Sequence, residues 1–261
     1  MTDTQRWANP VRARLEAGQS VFALTMTTNS LDAAVLGARA GFHFLWAEME
    51  HSPITLESLR AMVIGMHGTN VPVFARVPVI DLWTAKRVLD QGVQGVIFPF
   101  TTSPELAARA VSACKYPPVG RRGSGATLAA MTWPDPVGPY HDSADANVMV
   151  MTVIEEAAAV ERIDEIAATP GVDVLFIGTS DLSFSLGLRG RQNEPLLDEA
   201  IGKIVAAAKK HGKFLGRPGS NPDQLVRWRE QGFQLFQLVT ELVLMRNAAD
   251  RLMGDLRAAG L

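Results

Sequence analysis

Glu155 and Asp181 each stand just past a short apolar stretch: Val148–Ile154 in one case, Val174–Ile177 and the turn Gly178-Thr179-Ser180 in the other. Two carboxylates with neither His nor Cys between them favour a hard divalent ion, Mg2+ or Mn2+ with Co2+ as a third candidate, that keeps water and ligand oxygens as its other ligands. Asp181, just ahead of Leu182-Ser183, is also well suited to cap a helix. A second polar cluster, Glu48-Met49-Glu50-His51-Ser52-Pro53, follows Phe44–Ala47 directly, which is unfavourable unless these groups are hydrogen-bonded or functional. His51 is its acid–base group near neutral pH, whereas His43, His141 and His211 read as hydrogen-bonded loop residues. Arg76 ends Val73–Ala75 and needs an anionic partner; a bound carboxylate or enolate fits better than a structural ion pair, which belongs on outer helices. Arg217 closes Phe214–Gly216 ahead of Pro218-Gly219, and offers either a charged contact for a second reactant or a tie for its own loop.

These groups share a position at the end of an apolar run. Eight such runs occur: Val21–Met26, Phe44–Ala47, Val73–Ala75, Gly95–Phe98, Val148–Ile154, Val174–Ile177, Phe214–Gly216 and Leu235–Val239. Continuous apolar character suits parallel strands covered on both faces. Between them lie helical patterns over Leu31–Ala40, Leu56–Met66, Leu82–Asp90, Pro104–Cys114, Ala157–Ala168, Leu197–His211, Asp223–Glu230 and Leu242–Ala259. Ser103-Pro104 and Asn221-Pro222 read as helix starts, a capping side chain followed by proline. Strand then helix, eight times over, predicts an α/β fold of the (β/α)8 TIM-barrel type, in which strand C-termini converge on one catalytic face. An open doubly wound sheet shares the alternation. Closure would bring Glu155 and Asp181, on adjacent strands, to one mouth.

With 261 residues, 47% of them hydrophobic, the chain reads as one domain over 1–261. Lys115–Asn147, rich in Gly, Pro and Asp, is the longest connection without a clear element, a length more often functional or interface-forming than idle. The net charge of −2 argues against nucleic acid as a partner. The single cysteine, Cys114, reads as a packed, reduced thiol. Met1–Trp7 is polar, no apolar run approaches the ~20 residues of a membrane span, and no secretory pattern is present. The expectation is a cytoplasmic protein without a membrane partner.

The stretches FLWAEMEHSP, FARVP, KRVLDQGVQGVIFP, YPPVGRRGSG, VIEEAAAVERIDEI and GVDVLFIGTSDLS run in one order from about Ala34 to Leu188. Together they resemble the HpcH/HpaI family of metal-dependent, pyruvate-using class II aldolases, which cleave 4-hydroxy-2-oxoacids. The resemblance implies Glu155 and Asp181 as metal ligands, His51 as the catalytic histidine and Arg76 as the arginine that steadies the pyruvate enolate. It also implies that Asp90 pairs with a histidine across a subunit boundary; alone, Asp90 reads as an exposed helix-end acid. Backbone amides around Gly178, Thr179 and Ser180 would hold the oxoacid carboxylate. The implied assembly is a hexamer of paired trimers, the C-terminal helix a candidate for exchange with a neighbouring subunit. Three departures stand out: Glu48-Met49 where the family commonly has Asp-Gly, Val153 where a glutamine is usual, and Arg217 where apolar residues are usual.

The implied reaction is reversible cleavage of a 4-hydroxy-2-oxoacid to pyruvate, or a related 2-oxoacid, and an aldehyde. A Schiff-base route would need a desolvated lysine on a strand. Lys86, Lys115, Lys203, Lys209 and Lys210 read as helix or loop residues, and Lys213 precedes its strand. Two alternatives share or lack that chemistry. One is decarboxylation of oxaloacetate-like acids or cleavage of acyl-CoA esters; the other is a non-catalytic oxoacid-binding barrel.

Overall fold

A computed structural model of the chain describes residues 8–133 and 138–261. Among them eight strands, β1 (Val21–Met26), β2 (Phe44–Glu48), β3 (Val73–Arg76), β4 (Gly95–Phe98), β5 (Met149–Ile154), β6 (Val174–Ile177), β7 (Phe214–Pro218) and β8 (Phe233–Thr240), pair in parallel with their neighbours. β8 closes on β1 with Val21 opposite Leu235 and Phe22 opposite Phe236. That pairing excludes the open sheet and makes the fold a (β/α)8 barrel.

Thirteen described helices surround the barrel: α1 (Pro10–Glu16), α2 (Leu31–Arg39), α3 (Leu56–Gly65), α4 (Leu82–Asp90), α5 (Pro104–Cys114), α6 (Thr127–Thr132), α7 (His141–Asn147), α8 (Ala157–Glu161), α9 (Ile163–Ala168), α10 (Thr179–Ser185), α11 (Pro195–Lys210), α12 (Pro222–Glu230) and α13 (Glu241–Ala258). The proline-headed helices begin where sequence places them: Ser103 Oγ accepts from Leu106 N–H at 3.2 Å, and Asn221 Oδ1 from Gln224 N–H at 3.2 Å. The helix expected over Ala157–Ala168 is instead two. Arg162 leaves the helical region at φ −110°, ψ 19°, and its guanidinium reaches Glu105 on α5 and Glu165 in the next turn. The connection Lys115–Asn147 contains α6 and α7, neither with a capping side chain. Met1–Trp7 and residues 134–137 of that connection lie outside the described residues.

Alternation along each strand sorts the core into two layers. Phe44, Trp46, Phe74, Ile97, Met149, Met151, Val153, Phe176 and Leu235 fill the barrel, while Leu45, Ala75, Val96, Val150, Leu175 and Leu215 face the helices. Val11 and Leu15 of α1 close the end opposite the mouth. Asn9 caps α1 and ties it down, donating Nδ2 to Gln94 O and Asn147 O, each at 2.9 Å. No described helix is long and apolar enough to cross a membrane.

Candidate active site

Inward alternation carries past the hydrophobic layers to the C-terminal mouth, where β2 and β3 end in Glu48 and Arg76. Glu48 is buried and uses both oxygens. Oε1 accepts the N–H groups of Glu50 (2.9 Å) and His51 (3.1 Å); Oε2 accepts Trp46 Nε1 (3.2 Å) and Arg76 Nε (2.6 Å). One carboxylate thus shapes the loop that presents His51 and orients the guanidinium. Arg76 Nη1 also lies 3.2 Å from Glu50 Oε2, and the guanidinium stands 5.9 Å from the centre of the Trp46 ring. The preference for a bound anion over a structural ion pair at Arg76 is therefore corrected: Glu48 and Glu50 converge on it because β2 and β3 are paired in register. His51 is 65% exposed in its side chain, with Nε2 3.7 Å from Glu50 Oε2.

Glu155 follows the last residue of β5 and is only 2% exposed. Its Oε1 accepts the Phe100 N–H at 2.7 Å. Phe100 has φ 46°, a conformation uncommon for a bulky side chain and typical of a constrained site. A Cβ on Gly178 would sit 2.7 Å from Glu155 Oε2 and 3.2 Å from Val153 Cγ1, so only glycine leaves room for this carboxylate. Burial pushes the Glu155 carboxyl up to about 7; the Phe100 N–H and Arg76 pull against it, and Asp181 and Glu50 push further. Glu50 is raised for the same first reason, burial, against Arg76 and His51. Asp181 is exposed in the first turn of α10, whose N-cap is Gly178, so it does not serve as the cap. Gly178 N–H is occupied by Ile154 O at 3.1 Å, which leaves Thr179 and Ser180 to offer amides at the head of α10.

Two expected residues lie elsewhere. Asp90 ends α4, ahead of the turn into β4, and so sits at the opposite end of the barrel from its own chain's mouth. Its Oδ1 is 3.7 Å from Arg122, a buried guanidinium 4.7 Å from the Tyr116 ring centre and 5.6 Å from that of Tyr140. Burial raises the Asp90 carboxyl against the pull of Arg122 and Lys86. Arg217 does not overhang the mouth. Gly216 is the inward residue of β7, packed toward Phe176 and Leu235, so the next side chain turns outward and stacks on Trp228 of α12. Trp46 and Phe100 were missed as supports of the site; the signal for Trp46 was its spacing two residues before Glu48 on one strand face.

Among the described residues no lysine is paired at the mouth. Lys115 donates to Asp145 O and Val148 O at the far end, Lys213 to Thr169 O and Val172 O, and Lys86 lies over Trp83; Lys203 and Lys210 pair with Glu199 and Asp164 on the outer helices. Cys114 is buried, and burial pushes its thiol up to about 12. His43, His141 and His211 are each hydrogen-bonded outside the site.

Residues 22–248 match the model of the HpcH/HpaI aldolase/citrate lyase family. The chain belongs to that family. This HpcH/HpaI protein is 33% identical over 259 residues to a hydroxypyruvate/pyruvate aldolase of Paraburkholderia phytofirmans, covering 97% of this chain and 99% of the other. It is 32% identical to a 5-keto-4-deoxy-D-glucarate aldolase of Klebsiella pneumoniae, covering 96% and 97% of the two chains. Its fold superposes with a TM-score of 0.87 on an HpcH/HpaI aldolase/citrate lyase family protein of Burkholderia cenocepacia, at 29% identity over 96% of this chain and 100% of that one. As a member of this aldolase family it is a carbon–carbon lyase.

Proposed function

We propose that this protein is a divalent-metal-dependent class II aldolase that reversibly cleaves 4-hydroxy-2-oxoacids to pyruvate, or a related 2-oxoacid such as hydroxypyruvate, and an aldehyde. One observation carries the metal. Arg76 is already engaged by Glu48 and Glu50, and the buried Glu155 carboxyl, raised by burial and pushed further by Asp181 and Glu50, has no cation of its own among the described residues. Among the described residues no three His, Cys, Asp or Glu side chains gather to hold an ion alone. The donor set therefore fits a hard ion held by Glu155 and Asp181, Mg2+, Mn2+ or Co2+, with water and oxoacid oxygens completing its shell. Bound there, the ion supplies Lewis acidity to the 2-oxo group.

The chain's own residues do the rest. Arg76, clamped by Glu48 and Glu50, places a fixed positive charge where the 2-oxo oxygen gains negative charge. The Thr179 and Ser180 amides receive the 1-carboxylate. His51, exposed at the mouth, takes the C4 hydroxyl proton as the C3–C4 bond breaks; the aldehyde leaves, and C3 is reprotonated to give the oxoacid. Asp90 orients His51 of a neighbouring copy, in a hexamer of paired trimers. Val153 in place of glutamine removes an amide beside the oxoacid, which supports a broadened donor preference. The test is metal-stripped protein assayed for 2-oxoacid release from a 4-hydroxy-2-oxoacid, then again with Mg2+ or Mn2+ restored. Full activity in the presence of chelator overturns the metal reading; release of CO2 instead of an aldehyde overturns the aldol reading.

A further inference from the structure

On the outer side of β7, behind the mouth, the gap between α11 and α12 holds a groove of about 700 Å3. Arg217 forms its floor. The guanidinium carbon is 3.5 Å from the centre of the Trp228 ring and 5.3 Å from that of Phe233, so one face is covered by aromatic carbon. Its Nε is buried without a hydrogen-bond partner, and among the described residues Arg217 forms no ion pair; Asp198, across the groove, stays outside pairing distance. This stack is built into the backbone. Gly219 adopts φ +153°, and a Cβ there would stand 2.3 Å from Trp228 Cζ3. A half-buried guanidinium held against two rings, with its Nε buried and given no acceptor, leaves a donor that an anion would complete. Burial lowers Arg217 to about 10, so it stays cationic at neutral pH.

The remaining lining narrows the anion. Beside Arg227, a second cation on the rim, Gln192, Asn193, Gln224 and Gln231 surround the groove, amides that both donate and accept, as hydroxyl groups require. A bare inorganic anion would use only their donors. We propose that this groove binds a small hydroxylated carboxylate, of the sugar-acid class, with its carboxylate on the planar fork of Arg217 and its hydroxyls on the amides. The occupant reaches the site's scaffold as well. Thr179 lines the groove, and Gln192 Nε2 donates to Thr179 O at 3.4 Å, on the helix that carries Asp181. The inference rests on this groove alone and stands apart from the reaction assigned to the mouth.

Calorimetric titration of the full-length protein with D-gluconate, in chelator, tests it. One gluconate per chain is expected, unchanged in Glu155→Gln and weakened roughly tenfold or more in Arg217→Met, the loss a charge-assisted pair implies. Gln224→Ala, at an exposed position, is expected to weaken binding without disturbing the fold and serves if Arg217→Met does not fold. D-Glucitol, which lacks the carboxylate, is not expected to bind. The proposal is overturned if the parent takes up no gluconate at tens of millimolar, or if binding survives the Arg217 and Gln224 changes. Loss of binding in Glu155→Gln overturns it too, by placing gluconate in the mouth, as does inorganic phosphate binding as tightly as gluconate.

Discussion

Glu155 sits in the fold at a cost that a cation would relieve, and the cost has a pH signature. Its carboxyl titrates near 7 in the native chain against an ordinary 4.5. Below pH 4.5 it is protonated in folded and unfolded chains alike; between 4.5 and 7 the native state holds a proton that the unfolded state has released, so stability falls as pH rises. The contribution is on the order of 3 kcal/mol, present at low pH and gone above 7. Metal-free protein is therefore expected to be more stable at pH 5 than at pH 8, relative to Glu155→Gln measured alongside by denaturant titration. Parallel curves for the two proteins would show that Glu155 is not the titrating group. Arg76 yields a second prediction. Arg76→Lys keeps a charge but loses the fork that bridges Glu48 and Glu50, so turnover should drop by ~10²–10³ while the fold survives. Near-parental kcat in a folded variant would remove Arg76 from the chemistry. At this scale the sequence was legible where a residue followed an inward position: Trp46 to Glu48, Phe74 to Arg76, Val153 to Glu155. Arg217 was misplaced because being at a strand end says nothing about which face a side chain takes; one residue of register decides it.

The elements set distances that no single residue controls. Gly178, at the junction of β6 and α10, has an ordinary φ of −77°, so its requirement is one of space. A methyl group there meets Glu155 Oε2 at 2.7 Å and Glu155 Cβ at 2.8 Å. Gly178→Ala is expected to cost about 1–3 kcal/mol of stability and to raise the metal concentration needed for half-maximal activity. The check is a metal titration of activity beside a thermal melt; an unshifted metal curve would mean that Glu155 is not a ligand. Helices were readable where they carried caps and apolar periodicity, as Ser103-Pro104 and Asn221-Pro222 did. The helix α1 carried the same signal in Asn9-Pro10, only too short to show a periodic face. By contrast α6 and α7 lack capping side chains, and their small buried cluster, Ala126, Ala129 and Ala144 around Tyr116 and Tyr140, is held by tertiary packing that no local pattern announces.

At the scale of the whole molecule, two features are unfinished in one chain. The helix α13 buries only Glu241, which anchors it by accepting the Thr27 and Thr28 N–H groups at 2.7 and 2.6 Å; Leu244, Met245, Leu252 and Met253 remain exposed. Beside it an apolar groove of about 600 Å3, lined by Leu24, Leu36, Phe42, Leu244 and Met245, is open. We propose that α13 is exchanged between neighbouring copies, which would cover this apolar surface. The second unfinished feature is Asp90, at the far end of the barrel from His51. If neighbouring copies bring them together, each mouth draws on two chains, and complementation reveals it. His51→Ala and Asp90→Asn should each be nearly inactive alone. Co-expressed, they should assemble mixed particles in which a mouth with intact His51 from one chain and intact Asp90 from the other arises in roughly a quarter of cases, since each half is drawn independently in a symmetric oligomer. Recovery of that fraction of parental turnover is the expected result, with light scattering to confirm the assembly. If the mixture is as inactive as its parts, while each variant alone forms the parental oligomer, Asp90 does not act across the boundary.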